Sequence, residues 1–186
     1  IKCNNQGGES CNVKKLTFGA ILIQGVATSI DALSVGFTIS TYTPLMAVVK
    51  ANAYGHGAVE FASLMEEAGA DYLAVAYPVE GIELRQGGIK APIMVLTAGT
   101  DSFEDMINYG LEPGIPNPCT LKALCSVLEK RGISGFPIHV KLDTGMHRLG
   151  FMTEELPELM DFLKTCTAVT VKSVYSHLAA ADDASC

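Results

Sequence analysis

The sequence is short of positive charge: 13 lysines and arginines against 20 aspartates and glutamates leave a formal net charge of -7. No basic patch interleaved with aromatics occurs, so a nucleic-acid-binding role is set aside. Low-complexity runs are absent and 48% of the residues are hydrophobic, which argues for a folded chain. The six cysteines (Cys3, Cys11, Cys119, Cys125, Cys166 and Cys186) form no CxxC pair. Without a matching histidine spacing they give no zinc site, and reduced thiols in a cytosolic protein is the reading adopted. The apolar run near the start lacks a clear small-residue cleavage site, so no cleavable signal peptide is expected.

What is present is a rhythm. From Leu45 onward, short apolar runs alternate with segments apolar at helical spacing. Strands are expected at 45–49, 72–76, 92–96, weakly at 111–115, at 136–143 and from 170 to 175. Helices are expected at 58–68, up to 84, near 102–109, at 120–130 and at 154–165. Alternation with short links argues for parallel pairing through right-handed crossovers. The fold class is therefore α/β, a partial TIM (β/α)8-type barrel of about six βα strands where a closed barrel has about eight. A barrel lacking closing strands leaves raw edges, so the chain is expected to be marginal or aggregation-prone alone.

Two stretches carry chemistry. In Leu45-Met-Ala-Val-Val-Lys-Ala-Asn-Ala-Tyr-Gly-His-Gly57, five apolar residues end at Lys50. A run of that kind reads as a strand buried on both faces, which favours the neutral amine at its end and makes Lys50 a candidate Schiff-base nucleophile. The bland alternative is a lysine whose stem is packed and whose head is in water. In His139-Val-Lys-Leu-Asp-Thr-Gly-Met-His-Arg-Leu-Gly150, another strand ends in charge, and a glycine turn presents Arg148. Here the alternative is a structural ion network of Lys141, Asp143 and Arg148.

Both stretches resemble the alanine racemase family almost letter for letter, and Val174-Tyr-Ser-His-Leu-Ala179 is a third echo. The resemblance covers about residues 45–182 and implies pyridoxal 5'-phosphate as cofactor. It implies Lys50 as the catalytic lysine and cofactor anchor, with Tyr54, Arg148 and His177 at the cofactor. Lys141, often carbamylated in that family, Asp143 and Met146 would support Arg148. The implied reaction is interconversion of L- and D-alanine for peptidoglycan, with serine as another substrate, by two bases on opposite faces of the cofactor. The second base belongs to a C-terminal β domain and acts across a homodimer interface. With that domain and the last strands lacking, a fragment inactive alone is the expectation.

The first forty residues read differently. A polar start, Ile1 to Lys15, precedes an apolar run over 16–39 whose one formal charge is Asp31. It is long enough to cross a bilayer, for which about 20 residues suffice, and its small residues suit close helix packing. Gly25-Val-Ala-Thr-Ser-Ile-Asp-Ala-Leu-Ser-Val-Gly-Phe37 resembles a membrane helix of the manganese efflux pump family, whose helix aspartate is implicated in ion transport. Asp31 would be the ion-linked group on that reading, and membrane association through 16–39 would follow; a buried soluble helix is the alternative. The division expected is a unit at 1–43 and a barrel unit at 44–186, joined near 40–44 as two fused gene fragments. Rival functions are a non-catalytic pyridoxal-phosphate barrel protein and a fragment of a membrane transporter.

Overall fold

The structure is a computed structural model that describes residues 45–179. The expected segment at 1–43, with Asp31 and the apolar run, lies outside the described residues.

Six strands form one sheet in sequence order, every neighbouring pair parallel: β1 Met46–Val48, β2 Tyr72–Val75, β3 Ile93–Val95, β4 Leu111–Ile115, β5 Phe136–Lys141 and β6 Val169–Tyr175. Helices α1 Ala58–Glu67, α2 Pro78–Gln86, α3 Phe103–Asn108, α4 Pro118–Lys130 and α5 Leu156–Thr165 link them. This is the partial (β/α)8-type barrel expected from the alternation. Among the described residues no helix is long and apolar enough to cross a membrane.

Register explains which residues are core. Leu73, Ile93 and Leu111 lie side by side, as do Val75, Val95 and Pro113, and Ile115 beside Val140. With Val49 and Ile138 these apolar positions face the helices and are buried. Side chains alternate across a strand, so the opposite face carries Tyr72, Ala74, Met94, Glu112, Gly114, His139 and Lys141. An irregularity between Ile138 and His139 brings Ser173 beside His139 and Tyr175 beside Lys141. One face is greasy and the other polar.

Local chemistry sets the helix ends. Asn117 accepts the Thr120 N–H at 2.9 Å and Pro118 opens α4, a cap-and-proline start of the usual kind. Leu121, Leu124, Cys125 and Leu128 form the buried stripe of α4. Gly87, directly after α2, lets that end close on Val59 of α1; a Cβ there would sit 2.5 Å from a Val59 methyl.

Three expectations are corrected. β1 is not buried on both faces: it is an edge strand of the described sheet, Leu45 and Val48 are about 40% exposed, and only Val49 is fully covered. The strand expected to be weak, Leu111–Ile115, has buried residues at four of its five positions. The α1 stripe runs through Ala58, Phe61, Ala62 and Met65, and only Ala68 departs from it, lying exposed past the helix end.

Candidate functional site

The two ends of the sheet do different work. At the ends where β3 and β4 begin, Arg85 donates to the carbonyls of Ile89, Ala91, Tyr109 and Gly110. Beside it, Glu66 accepts the N–H groups of Lys90 and Ala91. These clamps hold backbone and nothing else. The chemistry-bearing residues gather where the strands end, the usual working face of a βα barrel.

Lys50 follows β1 and is half-buried. Its ammonium enters none of the side-chain hydrogen bonds or ion pairs found among the described residues. The residues after it depart from every ordinary preference. Ala51, Asn52, Ala53 and Tyr54 have φ of 52, 56, 50 and 54°, one turn of left-handed helix without a glycine. Such a conformation costs L-residues roughly 1–2 kcal/mol each. Several contacts hold it. The Ala53 N–H reaches the Val49 carbonyl at 2.9 Å and the Gly57 N–H reaches that of Asn52 at 3.1 Å. Asn52 Oδ1 accepts the Ala58 N–H at 2.8 Å, capping α1. Glu80, on α2, accepts the Ala51 N–H through Oε1 and those of Ala76 and Tyr77 through Oε2. Strained backbone that the surroundings over-determine marks functional positions.

A second cluster forms after β5 and β6. Lys141 is only 7% exposed and its ammonium lies 4.9 Å from the centre of the Tyr175 ring, within reach of a cation–π attraction. Burial lowers its pKa, the Arg148 charge lowers it further, and Asp143 opposes both. The loop from Asp143 to Gly150 closes on itself, with Phe151 N donating to Lys141 and Asp143 N to Phe151. Gly150 has φ 134°, and a Cβ there would strike the Asp143 nitrogen and the Leu142 carbonyl, so no other residue fits. Asp143 accepts the Gly145 and His147 N–H groups at 3.0 Å each, which holds its carboxyl below the usual range, with the His147 ring 3.4 Å away adding to that. Arg148 is exposed on this loop and Met146 half-buried.

The structure thus groups Lys141, Asp143 and Arg148 at the end of β5, with no ion pair to Arg148 among the described residues, and ties the backbone after Lys50 to Glu80. No hydrogen bond or ion pair joins the two clusters among the described residues. Tyr54 is 61% exposed and His177 is also exposed.

Sequence reasoning missed several polar groups. Tyr72, Glu112, His139 and Ser173 form a chain across the polar face. His139 Nε2 meets Glu112 at 2.9 Å and Nδ1 meets Ser173 at 2.7 Å, while Tyr72 donates to Glu112 at 3.4 Å. Glu112 and His139 do interrupt the apolar runs of β4 and β5, but only the pairing of His139 with Ser173 follows from the register. Tyr175 was missed too; its hydroxyl is buried over Gly114 without a partner among the described residues.

A parallel βα sheet that gathers a lysine, an arginine and a buried second lysine at the strand ends defines a class, the barrel enzymes that work on that face. The family model described as "Alanine racemase, N-terminal domain" matches residues 37–186. Alanine racemase of Synechocystis sp. is 43% identical over 143 residues, covering 76% of this chain and 38% of that protein. That of Symbiobacterium thermophilum is 40% identical over 169 residues, covering 90% and 44%. The solved alanine racemase of Clostridium difficile 630 superposes with a TM-score of 0.74 at 33% identity, over 87% of this chain and 42% of that one. The chain belongs to the alanine racemase family through its N-terminal domain. It spans 38% of the length of the first of these relatives. A model described as "Putative manganese efflux pump" matches residues 2–65. Of the stretch both models claim, residues 45–65 form β1, the left-handed turn and most of α1.

Proposed function

We propose that residues 44–186 are the cofactor-bearing barrel unit of an alanine racemase that uses pyridoxal 5'-phosphate. The observation that carries this is Lys50, half-buried at a strand end and followed by a strained turn that the fold takes trouble to hold. The residues fit the group: a lysine amine without a partner among the described residues and a guanidinium suit an aldehyde bearing phosphate and phenolate. When bound, pyridoxal phosphate supplies an aldehyde that condenses with an amine and a ring that accepts the electron pair left by Cα–H cleavage.

Lys50 is the anchor and one of the bases, holding or releasing a proton at Nζ. Arg148 donates to the phenolate oxygen and the substrate carboxylate. Burial makes the Lys141 ammonium easier to deprotonate; its amine adds to carbon dioxide with release of a proton to solvent, and the carbamate orients Arg148, while Asp143 and Met146 fix the loop that carries it. Tyr54 and His177 complete the cofactor contacts. The substrate is alanine, with serine as a second candidate, and the working form is a cytoplasmic homodimer. The solved alanine racemase of Bacillus anthracis holds bound L-Ala-P, which supports that substrate class. The match over residues 2–65 favours a second reading, a membrane transport segment that includes Asp31, and detergent-dependent extraction separates the two.

Incubation with pyridoxal phosphate, borohydride reduction and peptide mapping tests the proposal. Label on Lys50 is expected, and Lys50→Ala should remove at least about nine-tenths of it. Label spread evenly over surface lysines, or unchanged in Lys50→Ala, overturns it.

A further inference from the structure

We propose that Glu80 is a positioning residue for Lys50, acting through the backbone of the turn that follows it. The inference rests on the cofactor-anchor reading of Lys50. A glutamate at the third position of a helix commonly caps its own start, and the 3.0 Å bond from Tyr77 N to Oε2 is that cap. A cap alone would leave the other oxygen to solvent. Here Oε1 accepts the Ala51 N–H at 2.7 Å, 29 residues away in sequence, and Oε2 also takes the Ala76 N–H at 2.7 Å.

Ala51 is the first left-handed residue and the one bonded to Lys50. Packing cannot hold it, since Ala51, Asn52 and Tyr54 are exposed and only Ala53 is buried. Glu80 is itself half-buried in the first turn of α2, where the helix N-terminus favours its negative charge. The carboxylate therefore ties the direction in which the chain leaves Lys50 to the end of β2. Loss of that tie leaves the lysine present but loosely aimed, the usual failure when the groups supporting a site are removed.

The control is Glu66, which accepts two backbone N–H groups where Glu80 accepts three, and does so at the opposite end of the sheet. In Glu80→Gln one donor must face a side-chain NH2, so the clasp breaks without loss of volume. Amide exchange at Ala51, Ala76 and Tyr77 should quicken about tenfold or more, and attachment of pyridoxal phosphate at Lys50, read by reduction and peptide mapping at a subsaturating concentration, should fall about tenfold. Glu66→Ala should lower the urea midpoint without changing that attachment. Unchanged exchange at Ala51 in folded Glu80→Gln overturns the proposal, as does an equal loss of attachment in Glu66→Ala. If the unaltered chain takes no label at Lys50, the anchor reading fails, while exchange at Ala51 still decides whether Glu80 holds the turn.

Discussion

Lys141 and Tyr175 touch, and each responds to pH with the opposite sign. Burial first, then Arg148, lower the Lys141 pKa, so between that value and the ordinary 10.5 the unfolded chain binds a proton that the folded chain has shed. Stability rises with pH across that window. Burial pushes the Tyr175 phenol up to about 12 from 10, so above pH 10 the unfolded chain sheds its proton first and stability falls until about pH 12. Two units correspond to a loss on the order of 2–3 kcal/mol. Cys125, pushed up to about 12 by burial, and Tyr72, also raised by burial, add to the alkaline fall, so Tyr175→Phe should make it shallower, by up to the Tyr175 share, while keeping the ring under Lys141. It also removes a buried hydroxyl without a partner, whose burial costs about 1–3 kcal/mol, so a gain near 1 kcal/mol at neutral pH is expected. Urea unfolding from pH 7 to 11 checks both; equal alkaline slopes in the two proteins would refute the assignment.

At the scale of elements, the helices and strands were legible because each obeys its own period. The helix expected at 120–130 begins two residues earlier, at Pro118 behind its Asn117 cap, Gly87-Gly88 ends α2, and apolar runs mark five of the strands plainly. The left-handed turn was not legible, because Ala-Asn-Ala-Tyr contains no glycine and its geometry depends on Glu80, 29 residues away. That origin has a consequence with an unusual sign. Ala51→Gly should leave stability unchanged or raise it by up to about 1 kcal/mol, since relief of left-handed strain outweighs the added freedom of the unfolded chain. Ala123→Gly, inside the right-handed α4, should cost about 1 kcal/mol. Denaturant midpoints of the two variants decide it, and an equal loss in both would mean the turn is not left-handed in solution.

Across the molecule, the division of the sheet into a greasy and a polar face was only half visible in the sequence. Periodicity showed which runs were strands. Only the register, with its irregularity at Ile138 and His139, showed that Tyr72, Glu112, His139 and Ser173 meet. The same register turns Val171 and Val174 of β6 outward beside Leu156, Met160 and Leu163 of α5, lining an apolar hollow. Val174 is 58% and Met160 56% exposed. An apolar strip next to β6, an edge of the sheet among the described residues, invites association between copies, because it offers both greasy area and backbone groups unpaired among those residues. Val174→Lys places a charge in that strip on a side chain that is mostly in water already, so the fold should lose less than about 1 kcal/mol. Sedimentation at rising concentration should show less association than in the unaltered chain, with far-ultraviolet dichroism unchanged. Equal association in both would mean that this strip is covered in solution and that the contacts between copies lie elsewhere.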